Sequence, residues 1–342
     1  MVTHELDVVV SRGEAVESYH RVHAAVVDAR ERTIGIAGDP ALVTFWRSCA
    51  KPFQVMPLIE SGGFDRFGWG DEQLALACAS HGGEPEHVAI VEAMLQTLGL
   101  EEGDLACGPH EPLSPRGAKI VRECGARIRR THNNCSGKHT AMLALALHKE
   151  WSIEGYERRD HCVQQAMLNQ VALWTGMRPC EIDVAVDGCG AAVFGMSLEK
   201  MARAYARLGV ASARGEEIPA RVTRAMAAHP FLVGGTERLD SIIIEETNGR
   251  VITKVGAEGV HSGVILGSGI GFALKVEDGN ARAQQPALIQ LLVELGALPQ
   301  PLPAPLAEIL RKPVRNSRGE VVGETYVKIA RRRPERALAA SN

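Results

Sequence analysis

The 342-residue chain contains no C-x-x-C pair, no internal repeat, and no apolar run approaching the roughly 20 residues that cross a bilayer. Its eight cysteines, at positions 49, 78, 107, 124, 135, 162, 180 and 189, are scattered. A chain this size in a reducing compartment does not need disulfides, and most of the cysteines read as small core residues. The N-terminus, "MVTHELDVVVSRGE", lacks the apolar stretch of a signal peptide, so a cytoplasmic location is expected, with no membrane partner. Charge of one sign is also missing. Thirty-eight basic residues are intermixed with 41 acidic ones, which leaves no electrostatic footprint for nucleic acid or an anionic membrane. The one basic cluster, Arg331, Arg332 and Arg333, has no interleaved aromatics and reads as part of a solvated tail over 331–342. Aromatic residues make up only 4% and mark no surface as a subunit interface.

Glycine and periodic apolar segments are plentiful. Thirty-five glycines beside apolar runs point to tight turns and close backbone approaches. The first forty residues alternate apolar and polar positions and break at Arg12-Gly13 and Asp39-Pro40, the pattern of an antiparallel meander. From Ser48 to about Glu217 helical spacing takes over, as in "HVAIVEAMLQTLG", "HTAMLALALHKE", "DHCVQQAMLNQVALWTG" and "SLEKMARAYARLG". Strand signals return from Leu239 to Val276, with "SIIIEE" and "VITKVG" flanking a turn at Asn248-Gly249. A helix "PALIQLLVELGAL" follows, then a proline-rich connection and a hairpin around Ser317-Arg318-Gly319. The fold class expected is α+β: an antiparallel-rich sheet built from the N- and C-terminal parts, carrying an inserted helical lobe. One catalytic domain would span 1–330, with sheet parts about 1–47 and 236–330 and a lobe about 48–235.

Within "FWRSCAKPFQ", Ser48 and Lys51 form an S-x-x-K at the start of a helix, where spacing puts hydroxyl and amine on one face. A lone S-x-x-K is weak; Ser197 and Lys200 make a second one, which reads as the N-cap and solvent side of an amphipathic helix. Two stretches add to Ser48. "ACASHGGEPEHV" sets Ser80 and His81 between a buried segment and a glycine turn, and "VITKVGAEGV" puts Lys254 on a strand ahead of small residues. The latter partly matches the K-T-G element of penicillin-recognising serine enzymes, with Val255 in place of the hydroxyl residue. A serine–lysine mechanism needs a neutral lysine, a shift of roughly three units from about 10.4, for which burial and a nearby cation are the available causes.

The stretch "RTHNNCSGKHTAM" brings Cys135, Lys138 and His139 to the mouth of an apolar helix, where a thiol pKa is expected to fall. "IDVAVDGCG" ends a strand on Asp187 and Cys189. Spacing alone allows Zn2+ on Cys135, Cys189 and either His132 or His139, a cysteine nucleophile paired with His139 or His81, or two core cysteines beside a surface histidine.

In order, "RSCAKPFQ", "ASHGGEPEH", "HNNCSGKHTAML", "VDGCG" and "TKVGAEGV" resemble the L-asparaginase II family over about Val8 to Ile329. The resemblance implies a fold like those of serine β-lactamases and glutaminases, a homodimer, and hydrolysis of L-asparagine to L-aspartate and ammonia. It also implies serine–lysine tandems Ser48 with Lys51 and Ser80 with Lys254, and zinc held by Cys135, Lys138 and Cys189. Arg47, His139 and Asp187 match positions around the family's substrate site, with His139 turned toward substrate. Other readings stay open: a serine amidohydrolase for glutamine, a β-lactam or a peptide; an amidase using zinc-bound water; and a non-catalytic amino-acid binding protein.

Overall fold

Strand Val22–Val27 is buried at all six positions, and its alternate side chains enter two different cores. Val22, Ala24 and Val26 join Phe272 and Leu274 on one face, while Ala25 and Val27 join Ala273 on the other. Period-two alternation between two apolar environments leaves the strand no solvent face, and its one polar side chain, His23, accepts from Asp39 N–H at 2.9 Å. The structure is a computed structural model describing residues 1–328. The expected tail, with Arg331, Arg332 and Arg333, lies outside the described residues.

The fold is α+β with antiparallel-rich sheets. The central sheet has six strands in the order Val2–Thr3, Thr33–Ala37, Val22–Val27, Ile270–Val276, Val260–Ile265 and Val251–Val255, antiparallel except for the first pair. A second sheet orders Lys312–Arg315, Val321–Val327, Val8–Arg12 and Ala15–His20. The terminal parts do combine as expected, but into two sheets. The meander divides at Arg21, the one residue between Ala15–His20 and Val22–Val27. Helix Ala281–Glu294 contacts strands of both sheets, and its buried Ala283, Leu288, Leu291 and Leu292 supply the apolar cover between them.

Helix Leu198–Ala213 lies on the other face of the central sheet, starting at Ser197 without a side-chain capping bond. Lys200, of the second S-x-x-K, is half-buried in its first turn. The approach depends on Gly271, where a Cβ would sit 2.1 Å from the Ala202 carbonyl oxygen.

Two expectations are corrected. The segment "SIIIEE" is not a strand: it lies in helix Leu239–Glu246, which buries Leu239, Ile243 and Ile244. Packing of these residues outweighs the small helical disadvantage of β-branched isoleucine. Asn248 and Gly249, both at positive φ, close that helix, with Gly249 N–H bonded to the Ile244 carbonyl, instead of turning a hairpin. A small third sheet pairs Val43–Phe45, just before the helical region, with Ala192–Ser197 inside it, and Ala192–Ser197 in turn with Asp183–Val186.

Candidate active site

Ser48 belongs to a single turn of 3-10 helix, Arg47–Ala50, continued by helix Lys51–Gln54 with Pro52 in its first turn. Four contacts fix the turn. Trp46 N–H bonds the Phe194 carbonyl at 2.8 Å, the Trp46 indole bonds Ser262 Oγ at 3.0 Å, the Cys49 thiol bonds the Lys254 carbonyl at 2.9 Å, and Tyr205 OH bonds the Cys49 carbonyl at 2.8 Å. Arg47 takes φ +53°, unfavourable for an arginine and held by its ion pair to Asp187 at 2.8 Å. Burying Cys49 and Phe53 thus turns Lys51 inward, where it is 1% exposed.

The two lysines converge on one hydroxyl. Lys254 Nζ lies 2.7 Å from Ser80 Oγ, and Lys51 Nζ lies 3.1 Å from the same atom. Lys51 also donates to the carbonyls of Ala79, at 2.5 Å, and Asn134, at 3.2 Å, so three acceptors match the three donors of an ammonium. The spacing argument pairs Lys51 with Ser48; here its hydrogen bonds go to Ser80 instead. Ser48 and Ser80 both line a cavity of about 240 Å3, together with Asn134, Val255 and Gly256. Ser80 is almost wholly buried, while Ser48 is half-buried in the cavity wall.

Burial, opposed by Asp240 3.8 Å away and aided by the Lys51 cation, brings Lys254 from an ordinary 10.5 down to about 8. Asp240 is itself buried, which disfavours its charge, but His261, Lys254 and the Val255 N–H hold it well below the carboxylate range. Its oxygens accept from Thr253 Oγ1 at 2.8 Å and Val255 N at 2.9 Å, and His261 Nε2 lies 2.8 Å away. Asp240 and His261 do not emerge from the sequence because the segment containing Asp240 has the composition of a strand, which hides the helix start that carries it.

Asn134 joins this centre to a second cluster. Its N–H bonds His110 Nε2 at 3.0 Å, and the next residue, Cys135, opens helix Ser136–His148. Asn133 satisfies the turn, accepting from Cys135 N–H and donating to the Gly108 carbonyl. The Cys135 and Cys189 thiols are hydrogen-bonded to each other, and Lys138 Nζ lies 3.2 Å from Cys189 Sγ. The bond from Cys135, and then the Lys138 cation against burial, bring Cys189 down to about 5. The same bond, reinforced by burial, raises Cys135 to about 12, so the helix-start thiol expected to be acidic is the less acidic of the pair. Burial would neutralise Lys138, but the two thiols and Asp187 push it above its ordinary value. Burial likewise disfavours the Asp187 charge, yet Lys138 and Arg47 keep it below its usual range.

The histidines do not join the thiols. His139 is fully buried with Nδ1 2.7 Å from Tyr156 OH, and burial plus the Lys138 cation lower it to about 3. His139 does not line the cavity shared by Ser48 and Ser80. His132 accepts from Arg129 N–H at 2.9 Å, and His81 lies 2.9 Å from Ser136 Oγ, so neither pairs with Cys135. Among the described residues no three His, Cys, Asp or Glu side chains converge on a metal position. The set Cys135, Lys138 and Cys189 does fit zinc: two soft thiols in mutual contact and one nitrogen donor beside them, all buried.

The sequence model of the family described as L-asparaginase II matches residues 8–327. No curated protein sequence matches the chain significantly. Among solved structures it is similar to Mglu in its native form, with 14% identity, a TM-score of 0.45, and coverage of 81% of this chain and 64% of that one. Mglu in its glutamate form gives 14% identity and 0.46, covering 81% and 62%. A Bacillus glutaminase gives 15% and 0.35, covering 81% and 92%. The chain thus spans less than two thirds of the length of either Mglu chain. Among the described residues, no helix is long and apolar enough to cross a membrane.

Proposed function

Because the chain belongs to the L-asparaginase II family and is an amidohydrolase, we propose that it hydrolyses L-asparagine to L-aspartate and ammonia through a serine acyl-enzyme. The observation that carries this reading is the buried Ser80 hydroxyl, flanked by the Lys254 and Lys51 amines, in the wall of a cavity that Ser48 also lines.

Ser48 is the nucleophile, because its hydroxyl is the less occluded of the two and no side chain among the described residues engages it. Ser80, already between two amines, is the relay. As Ser48 Oγ bonds to the amide carbon, its proton passes to Lys51 and on through Ser80 to Lys254, whose pKa of about 8 leaves part of the population neutral near pH 7. The Lys51 side chain must first swing from the Asn134 carbonyl toward Ser48, one helical turn away. Backbone N–H groups of the turn at Ser48 stabilise the oxyanion. The same relay returns a proton to departing ammonia, and water then cleaves the β-aspartyl ester.

Cys135, Cys189 and Lys138 would hold Zn2+, with both sulfurs as thiolates and the amine neutral. Bound there, zinc supplies Lewis acidity and a fixed positive charge that lowers the pKa of neighbouring amines. The implied homodimer is checked by sedimentation.

Ammonia release from L-asparagine, with Ser48→Ala as the paired control, tests the reading. Equal release by both proteins would overturn it. Glutamine differs by one methylene, worth about 1–3 kcal/mol of discrimination, so it belongs in the same panel.

A further inference from the structure

We propose that Arg238 is the residue that binds the substrate's α-carboxylate, an inference that rests on the amidohydrolase reading of the Ser48–Ser80 cavity. Among the described residues lining that cavity, Arg238 is the single arginine or lysine. It has burial and Asp240 as its electrostatic surroundings but no side-chain hydrogen bond or ion pair among the described residues. That sets it apart from the other arginines near the site: Arg47 is committed to Asp187, and Arg116 to Glu84 and Glu86. A partly buried guanidinium in the cavity wall without a protein partner is free to meet an anion, and its planar fork matches a carboxylate.

Its position is prepared. Arg238 is the N-cap residue of helix Leu239–Glu246, and Leu239 and Asp240 of the first turn also line the cavity. The unpaired N–H groups of that turn add to the attraction for an anion. The wall's two carboxylates do not quench the guanidinium. Asp240 is occupied by Thr253, Val255 and His261, and Glu258 lies exposed at the rim.

Arg238 is also registered to the catalytic loop. Glu84, four residues beyond Ser80, accepts from Thr236 N–H at 2.7 Å and Thr236 Oγ1 at 2.8 Å, and Arg238 N–H bonds the Gly235 carbonyl at 3.2 Å. One buried carboxylate therefore ties the Ser80 loop to the turn that carries the guanidinium. The ligand class that follows is a small amino-acid amide bearing a free carboxylate. Arg47, which the family resemblance assigns to substrate, serves instead to hold the Ser48 turn against Asp187.

The test compares wild type with Arg238→Met on L-asparagine and on β-alaninamide, which is asparagine without its α-carboxylate. Loss of charge-assisted hydrogen bonds should raise KM for asparagine roughly 10- to 100-fold while kcat stays within about threefold. For β-alaninamide, kcat/KM should be the same in both proteins, and Arg238→Lys should restore part of the asparagine KM. An unchanged KM for asparagine, or an equal loss on both amides, overturns the assignment. If the Met protein does not fold, Arg238→Gln carries the same comparison. If wild type releases no ammonia from asparagine, the proposed function fails separately, and titration calorimetry with L-aspartate decides this inference. Weaker binding in the variant supports it; equal binding, or none by wild type, overturns it.

Discussion

Two buried lysines, Lys254 and Lys138, sit beside a nucleophilic atom in neighbouring parts of the molecule and are driven in opposite directions. Both are almost fully enclosed, so desolvation disfavours the charge on each. Lys254 faces a neutral hydroxyl and a second ammonium, with Asp240 only at 3.8 Å, and comes down to about 8. Lys138 faces the acidic Cys189 thiol at 3.2 Å with Asp187 behind it, and is raised. Burial alone does not make a lysine a base; the sign follows from the charges around it. On the proposed reading, one region serves as a proton relay, and the other is an ion pair that would give up a proton to a bound metal ion.

The sharpest break in this comparison is Ser48→Ala. It removes the proposed nucleophile and should lower kcat by about 10^4-fold or more with an unchanged circular dichroism spectrum, measured as ammonia release. Lys254→Met comes next, with an expected loss of about 10^2- to 10^4-fold for a removed general base; a loss below tenfold would return the base role to Lys51.

The pH profile sharpens the difference. kcat/KM should rise as Lys254 loses its proton through about pH 8 and level off above it, and Asp240→Asn, by removing the charge that holds the proton on, should move that rise to lower pH. The sign for stability follows. Between about 8 and 10.5 the folded chain binds fewer protons at Lys254 than the unfolded chain does, so this residue's contribution to stability increases with pH across that window and is least favourable below 8. On the other side, Cys189→Ser should abolish zinc retention on dialysis, and zinc uptake by wild type should release protons and strengthen with pH, read by calorimetry in two buffers. Retention of one zinc by the Ser variant would remove Cys189 from the ligand set. The smallest effect is Tyr156→Phe, which leaves Ala106 N–H and His139 Nδ1 without their 2.8 and 2.7 Å partner. It should lower stability by about 1–3 kcal/mol, seen as a fall in Tm, with the serine–lysine chemistry intact.

Much of this site was legible because its chemistry lies in short runs. S-x-x-K, "CSGK" and the glycine turn at Gly188–Gly190 set local spacing, and spacing within one turn survives folding. The contacts across the chain were less legible. Ser48 and Lys51 read as a pair, yet the lysine bonds Ser80, because the loop at Ala79–Ser80 and the Asn134 carbonyl together offer it three acceptors. His139 has the same spacing to Cys135 as a plausible ligand, but Tyr156 takes its Nδ1. Arg238 and Asp240 were hidden by an error of period: three isoleucines in a row look like a strand until Leu239, Ile243 and Ile244 are seen to share one buried helical face.

By itself, the sequence determined the α+β class, the joining of the chain's two ends in antiparallel sheets, and the family, since hydrophobic period and ordered local motifs are properties of neighbouring residues. The tertiary structure decided the division into two sheets at Arg21, the convergence of both lysines on Ser80, and the opposite charge preferences of Lys254 and Lys138. Those depend on groups that lie on different elements, such as Lys254 and Ser80, 174 residues apart, and on desolvation, which exists only once the chain has closed around them.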